Sequence, residues 1–189
     1  MKKRMTQARA TYRHGNLKEE AISQALMLMN RSGIHHAALS IRKIAKSLEV
    51  THRSLYNHFT DKEAFLDAVA ARAFEQLAER LKNATNKSHF AKIYLGYACD
   101  RPQLYGLMSG RQHATMKHKP ALQTAVHSVV TEAIRVFNSE NPTPLGNRRE
   151  IMKLHMLLHG AVTLRLAGVL DVEDDQALIE DVSAMLESR

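Results

Sequence analysis

The residues best suited to chemistry lie in one short segment, Thr51–Phe59, which combines a guanidinium, an amide and three hydroxyl groups. In a helix that turns by about 100° per residue, Leu55 and Phe59 lie about 40° apart and mark the buried side. Asn57 then points in the opposite direction, with Arg53 beside it. Arginine pairs through two hydrogen bonds with guanine, and asparagine with adenine, in the major groove of double-stranded DNA. The segment is therefore suited to reading base edges.

Other polar groups of this segment are suited to the phosphate backbone. Tyr56 falls on the boundary of the buried side, where its ring can rest on the protein and its hydroxyl can turn to a phosphate. Thr51 starts the helix, and the free N–H groups of a first turn attract anions. Ser54 flanks Asn57, and His58 falls on the second boundary. A solvated face of an ordinary helix would carry similar residues, so the segment alone leaves both interpretations open.

The charge is divided unevenly along the chain. Residues 1–62 contain 12 Lys and Arg but only four Asp and Glu, whereas residues 63–189 contain 15 of each kind. The whole excess of +8 therefore lies in the first third. Because protein surfaces usually mix both signs, this division favours nucleic acid over a membrane surface as the partner.

Length and composition exclude several classes of protein. The 189 residues suit one compact unit, or one small domain joined to a larger one. No apolar run approaches the roughly 18 residues of a membrane span, and the basic start is not followed by a signal-peptide core. A single cysteine excludes an intramolecular disulfide, so we expect a cytoplasmic protein that does not act at a membrane. No phosphate loop, informative carboxylate pair or nucleophile elbow supports an enzyme, and no cofactor is expected.

Helical patterns recur along the chain, while alternating strand patterns are scarce. Residues placed to cap helix starts are Asn16, Ser40, Thr51 and Thr60. The first helix should end at Gly33, and the helix opened by Thr60 should end near residues 82–88. Further helices are predicted before Pro102 and over 120–137, 148–168 and 174–187, with a loop over 138–147. The sequence thus predicts an all-α fold.

The stretch LSIRKIAKSLEVTHRSLYNHFTDKEAFLDAV (39–69) resembles the DNA-binding signature of the tetracycline-repressor (TetR) family. It contains a capping residue, a basic I-A-x-x-L core, a V-S/T turn and the closing residues LYNHFTDKEAFL. YRHGNLKEEAI (12–22) matches the usual approach to the first helix. The resemblance implies a homodimer with a helix-turn-helix module over 14–62, which binds a pseudo-palindromic DNA operator. A long helix would join this module to a C-terminal helical bundle over 63–189 that dimerises and binds a small-molecule effector.

The resemblance also implies roles for single residues. Positions that commonly hold phosphates are Ser40, Thr51, Tyr56 and Lys62. Positions that commonly contact bases or backbone are Arg42, His52, Arg53 and Asn57. Glu49 departs from the pattern because glycine is common in this turn, and positive φ costs another residue about 1 kcal/mol. The basic arm, residues 1–13, would either enter a minor groove or remain a solubilising extension.

The C-terminal half offers weaker signals. Segments 94–110 and 157–168 resemble a subgroup with an A-x-x-x-P-x-L-Y-x-x-M pattern and a late His-Gly pair (WHG-like), here His159-Gly160. Residues that could line an effector pocket are Tyr94, Tyr97, Leu104, Tyr105, Leu107, Met108, Met116 and His159. Ordinary core packing is the alternative for each of them.

Other interpretations of the same half remain open. His155 and His159 have the spacing of metal-ligand pairs, but no further Cys or His cluster completes a site, so no metal is expected. Cys99 is expected to be a small buried residue, with a thiol sensor as the alternative. Two functions remain: a repressor released by an effector, and an architectural or protein-tethering DNA-binding factor without such a switch.

Overall fold

Nine α-helices and one 3₁₀ helix make up most of the residues that the computed structural model describes, which are 2–111, 117–137 and 144–187. Side chains are described for 16–111, 117–137 and 148–187. The helices are α1 (Lys2–Ser32), a 3₁₀ helix (His36–Ala38), α2 (Ile41–Ser47), α3 (His52–Tyr56), α4 (Lys62–Leu81), α5 (Lys87–Asp100), α6 (Pro102–Ser109), α7 (Pro120–Phe137), α8 (Pro144–Leu166) and α9 (Asp175–Glu187). No strand occurs within the described ranges, and the all-α prediction is confirmed.

The first helix begins earlier than the sequence predicted. Asn16 does not cap α1 but lies inside it, and the backbone of residues 2–13 continues the same helix. The preceding residues are mainly Ala, Arg, Lys, Gln and Met, which favour helix, and they include no proline. Gly15 weakens a helix by about 1 kcal/mol, which is not enough to end it here.

The start of α4 also differs from the prediction by one residue. Asp61, not Thr60, is the N-cap, because its carboxylate accepts the N–H of Ala64 at 2.7 Å. The α2 and α3 caps are as predicted: Ser40 Oγ accepts from Lys43 N, and Thr51 Oγ1 accepts from Ser54 N, both at 3.2 Å.

The last two helices, α8 and α9, have nearly the predicted bounds. α8 starts at Pro144, earlier than expected, since proline is well suited to a first turn. Most of the predicted loop over 138–147 (138–143) lies outside the described residues.

The turn between α2 and α3 depends on one residue with left-handed backbone geometry. Glu49 has a φ of 56°, so the positive φ considered from the sequence is present. Its side chain is exposed, and the N–H of Val50 donates to Ala45 O at 3.0 Å to close the turn. The left-handed backbone of Glu49 costs some free energy, but it sets the angle between α2 and α3 that the motif requires.

One apolar core runs from Leu17 in α1 to Val182 in α9. It joins the N-terminal module (α1–α3) to the C-terminal body (α4–α9), and the Phe59 and Phe65 rings meet edge to face at 5.0 Å across this boundary. Within the body, α4 packs mainly on α7, and α5 on α9. Arg72 of α4 forms an ion pair with Glu19 of α1. In the part of the chain that is described, no helix is long and apolar enough to span a membrane.

Candidate functional site

Helix α3 turns its apolar side chains inward and its polar ones outward. Leu55 is 1% exposed, and Phe59, just after the helix, is 3% exposed. Arg53 and Asn57 are both exposed, on the side that the helix geometry predicts. Two buried anchors therefore hold the segment while the guanidinium and the amide project into solvent.

The helix is shorter than expected. α3 ends at Tyr56, and Asn57 is its C-cap with φ −70° and ψ −18°. Because these angles are still those of a right-handed helix, Asn57 keeps nearly the direction that a continued helix would give it. Asn57 and His58 both lie in the turn that follows the helix, and both side chains are exposed.

The flanking polar groups lie around this face. Tyr56 is 47% exposed, and its ring meets the exposed ring of His52 edge to face at 6.3 Å. The half-buried Ser54 bonds through its hydroxyl with that of Thr51 at 2.8 Å. Arg42 is exposed in the first turn of α2, two residues after the Ser40 cap.

Lys62 is placed differently from the other residues named for phosphate contact. It is half-buried, and its Nζ donates to Ala37 O at 2.8 Å. The ammonium thus ties the start of α4 to the 3₁₀ helix of the module. Its replacement would disturb this attachment as well as any contact with DNA.

A second attachment joins the end of α6 to the start of α4. Arg111, whose side chain is 9% exposed, donates through Nη1 to Glu63 at 2.9 Å and to Asp67 at 3.3 Å. Lys119 Nζ lies 2.8 Å from the other oxygen of Asp67. We define the junction as these four residues together with two that lie beside them: Glu63, Asp67, Arg111, Lys119, His36 and Lys62. It lies where the body meets the module.

The junction concentrates positive charge in a partly buried place. Burial, His35, Arg111 and Lys62 all lower the pKa of His36, so its neutral form is favoured. Among the described side chains, His36 Nδ1 and Arg111 Nε are the buried polar atoms without a hydrogen-bond partner. The junction is therefore less completely paired than a typical protein interior.

A cavity of about 430 Å³ lies among α4, α5, α6, α7 and α8. This volume falls within the range of about 300–1,000 Å³ for small-molecule sites. Its lining residues are Phe74, Tyr94, Tyr105, Met108, Ser109, Val126, Val129, Val130, Ile151, His155 and His159.

Four of the lining residues named from the sequence do line this cavity: Tyr94, Tyr105, Met108 and His159. Tyr97, Leu104 and Leu107 do not. Tyr97 is 1% exposed and donates its hydroxyl to Ala73 O at 3.0 Å, and the two leucines are buried in the core. These three point away because an amphipathic helix places only one of its faces on any cavity. Met116 lies outside the described residues.

Sequence reasoning missed the valines of α7, Phe74 of α4, and Ile151 and His155 of α8. Val126, Val129 and Val130 share one face of α7, but an apolar face of this kind is also typical of plain core. His155 carried a signal, since it lies one turn before His159. In the cavity, the imidazole of His155 stacks on that of His159, with the ring centroids 5.5 Å apart.

Two further expectations concern metal and thiol chemistry. Within the described part of the chain, no group of three His, Cys, Asp or Glu side chains could hold a metal ion. Burial, followed by Asp175 and Asp100, raises the pKa of the Cys99 thiol to about 11. Cys99 packs against the core but is half-buried, not buried as predicted. A thiol that stays protonated is a poor nucleophile, which favours this packing role over a sensor.

Comparisons with known proteins agree with this architecture. Residues 21–69 match the bacterial regulatory proteins of the tetR family, and residues 88–186 match the tetracyclin repressor-like C-terminal domain. The first match runs from the middle of α1 to the start of α4, and the second covers α5 to α9. The resemblance to the WHG-like subgroup is not confirmed by these matches.

Solved structures share the fold over nearly the whole chain. A protein of unknown function from Rhodococcus sp. RHA1 is 24% identical, with 93% of this chain and 95% of that chain covered and a TM-score of 0.73. A TetR transcriptional regulator from Rhodococcus sp. RHA1 is 18% identical, with 94% and 97% covered and a TM-score of 0.62. No curated protein matches the sequence at a significant level.

The family matches cover both the helix-turn-helix face of α3 and the helical body that carries the cavity. The chain belongs to the TetR family of DNA-binding transcriptional regulators.

Proposed function

We propose that this chain is a homodimeric repressor that binds a pseudo-palindromic operator and is released by a small-molecule effector. The observation that carries the DNA-binding mode is the exposure of Arg53 and Asn57 on a helix whose Leu55 is buried. In such a dimer the two α3 helices would enter adjacent major grooves about one helical turn, roughly 34 Å, apart. We expect the protein to act in the bacterial cytoplasm, where the chromosome lies.

The residues around α3 fall into two groups by what they can recognise. Arg53 and Asn57 present groups that distinguish guanine and adenine from other bases. Tyr56, Thr51 and Ser40 present hydroxyls or first-turn N–H groups, which suit phosphates of any sequence. The first group would set the operator sequence and the second would fix the module on the duplex.

Helix α8 supports the dimer because it is apolar on two sides. Leu154, Leu158 and Val162 are buried against the body at successive turns. On the opposite side, Met152 is 48% and Met156 is 60% exposed. An exposed apolar side opposite a buried one needs a second cover, and a twofold copy of the same helix supplies it.

A physical route from the cavity to the DNA-binding face supports an effector. Helix α6 lines the cavity through Tyr105, Met108 and Ser109, and Arg111 follows two residues later. Arg111 is bonded to α4, and α4 is tied to the module through Lys62. A ligand that fits the cavity better in one arrangement of α6 would shift the position of the module by that preference.

The junction should contribute measurably to stability. We expect Arg111→Met to lower the free energy of unfolding by about 1–3 kcal/mol, because Asp67 and Glu63 lose a charged hydrogen-bond donor. Arg165→Met is the matched control, since it removes a more exposed ion pair with Asp175 and should cost less than about 1 kcal/mol. Urea unfolding monitored by circular dichroism measures both. Equal losses in the two variants would contradict the structural role of the junction.

Selection of binding sites from random duplex DNA at a stated salt concentration tests the proposed function. We expect enrichment of a pseudo-palindrome whose half-sites are about 10 base pairs apart. The salt concentration matters because phosphate contacts make affinity strongly salt-dependent. Retention of DNA without any enriched sequence would instead favour an architectural factor, and no retention at low salt would refute the proposal.

A further inference from the structure

We propose that the cavity binds a neutral aromatic molecule that carries one hydroxyl group. This inference rests on the proposed effector function and names the chemical class of the effector. Among the described residues, no Lys, Arg, Asp or Glu side chain lines the cavity. The rings of Phe74, Tyr94 and Tyr105, with apolar side chains from α7, supply most of its wall.

The polar part of the wall includes one connected chain of hydrogen bonds. Tyr94 Oη lies 3.3 Å from Tyr105 Oη, and Tyr105 Oη lies 2.8 Å from His159 Nδ1. His159 Nε2 then lies 3.4 Å from Thr163 Oγ1, outside the cavity. His155 extends this strip by stacking on His159, and the Ser109 hydroxyl, also in the wall, donates to Gly106 O at 3.4 Å. The wall therefore offers one connected polar strip on a mainly apolar surface, which fits a ligand with one polar group.

A hydroxyl fits this strip in either direction of its hydrogen bonds. If Tyr105 donates to His159, Tyr94 donates to Tyr105, and the Tyr94 oxygen is left to accept from the ligand. If His159 donates instead, the Tyr94 O–H is left to donate to the ligand. A ligand hydroxyl can do both, whereas a carbonyl or a cation can do only one.

The two phenols stay protonated in this setting. Burial raises the pKa of Tyr94, and burial followed by the neighbouring Tyr94 raises the pKa of Tyr105. Neither hydroxyl therefore supplies a negative charge for a cationic ligand. No lysine or arginine among the described lining residues is present to balance an anionic one.

Ring geometry favours an aromatic over an aliphatic ligand. Tyr94 and Tyr105 already meet edge to face at 6.2 Å, and His155 and His159 stack at 5.5 Å. All four rings line the cavity, and aromatic pairs gain from stacked and edge-to-face arrangements beyond the area they bury.

Three matched probes test the ligand class with the full-length protein at pH 7.5: 2-naphthol, naphthalene and 2-naphthoate. By equilibrium dialysis we expect 2-naphthol to bind about tenfold more tightly than naphthalene, because it adds one buried hydrogen bond. We expect 2-naphthoate to bind at least about thirtyfold more weakly than 2-naphthol, because its charge lacks a partner. The chain has no tryptophan, so naphthol fluorescence gives an independent measure of binding.

Two tyrosine variants test the site. Tyr94→Phe removes the hydroxyl that is left to bond the ligand, so it should reduce the affinity for 2-naphthol to that for naphthalene and change naphthalene binding less than twofold. Tyr97→Phe is the matched control, since its hydroxyl bonds Ala73 outside the cavity, and it should keep the tenfold preference. Binding of 2-naphthoate equal to that of 2-naphthol, an unchanged preference in Tyr94→Phe, or binding of none of the probes would overturn the inference.

Failure of the ligand class and failure of the regulatory proposal give different results. If no probe binds while the selected operator is still recognised, the ligand class is wrong and DNA recognition stands. If 2-naphthol binds with the expected preferences but leaves operator affinity unchanged, the ligand class is supported and release by an effector is refuted. If 2-naphthol weakens operator binding and this effect is lost in Tyr94→Phe, both proposals are supported.

Discussion

Met156→Glu is expected to convert the dimer to monomers and to weaken operator binding by at least about a hundredfold. Met156 is 60% exposed on the side of α8 opposite the buried Leu158. In a twofold interface the substitution appears twice, and each unpaired carboxylate would be buried against apolar surface at a cost of several kcal/mol. Two linked modules gain affinity through effective concentration, and a monomer loses that gain. Sedimentation equilibrium and gel-shift titration measure the two effects.

Met27→Glu is the matched control for this experiment. Met27 is 39% exposed on α1, far in sequence from α8, so a glutamate there should leave the dimer and operator binding unchanged. A dimeric Met156→Glu variant would show that the exposed face of α8 is not the interface. Dissociation of both variants would indicate a general loss of fold, which circular dichroism would detect.

The second large effect concerns the sequence that the protein selects. Arg53→Ala and Asn57→Ala should each lower affinity for the selected operator by about 1–3 kcal/mol where a bidentate base contact is lost. That loss corresponds to roughly 5- to 150-fold, and each variant should tolerate other bases at one position of the half-site. Random duplexes, which offer no cognate base pair, should lose much less. Repeating the selection with each variant and measuring affinity on both kinds of duplex tests this.

Tyr56→Phe separates base contacts from phosphate contacts. It removes one exposed hydroxyl and keeps the ring, so it should weaken binding by a similar factor on operator and random DNA. Equal losses on both duplexes by Arg53→Ala, Asn57→Ala and Tyr56→Phe would refute the division of roles. Lys62→Ala should also weaken binding on every duplex. It serves less well as a probe, because Lys62 also bonds Ala37 and its loss would loosen the junction.

Local patterns in the sequence were sufficient to predict which side chains of the helix-turn-helix segment are buried and which are exposed. Leu55 and Phe59 are buried while Arg53 and Asn57 are exposed because helix periodicity assigns each residue a direction before any tertiary contact forms. The caps at Ser40 and Thr51 were predicted for the same reason: each bond joins residues three apart. The positive φ of Glu49 follows from the turn that the two short helices require.

The sequence located the start of helices less well where competing signals lay close together. Thr60 and Asp61 are adjacent capping residues, and only the extended backbone at Asp61 decides between them. At α1, the helix-forming residues before Asn16 outweighed its capping preference.

The cavity and the junction were decided by tertiary structure. Whether Tyr105 or Tyr97 lines a cavity depends on which face of its helix meets α7 and α8, and residues far apart in the chain set that packing. Arg111 meets Glu63 and Asp67 across more than 40 residues, a pairing that no local period encodes. The amino-acid sequence by itself thus determined the surface that we propose binds DNA, because short-range geometry orients it. The shape of the cavity and its connection to that surface exist only once distant helices pack, because both are made of long-range contacts.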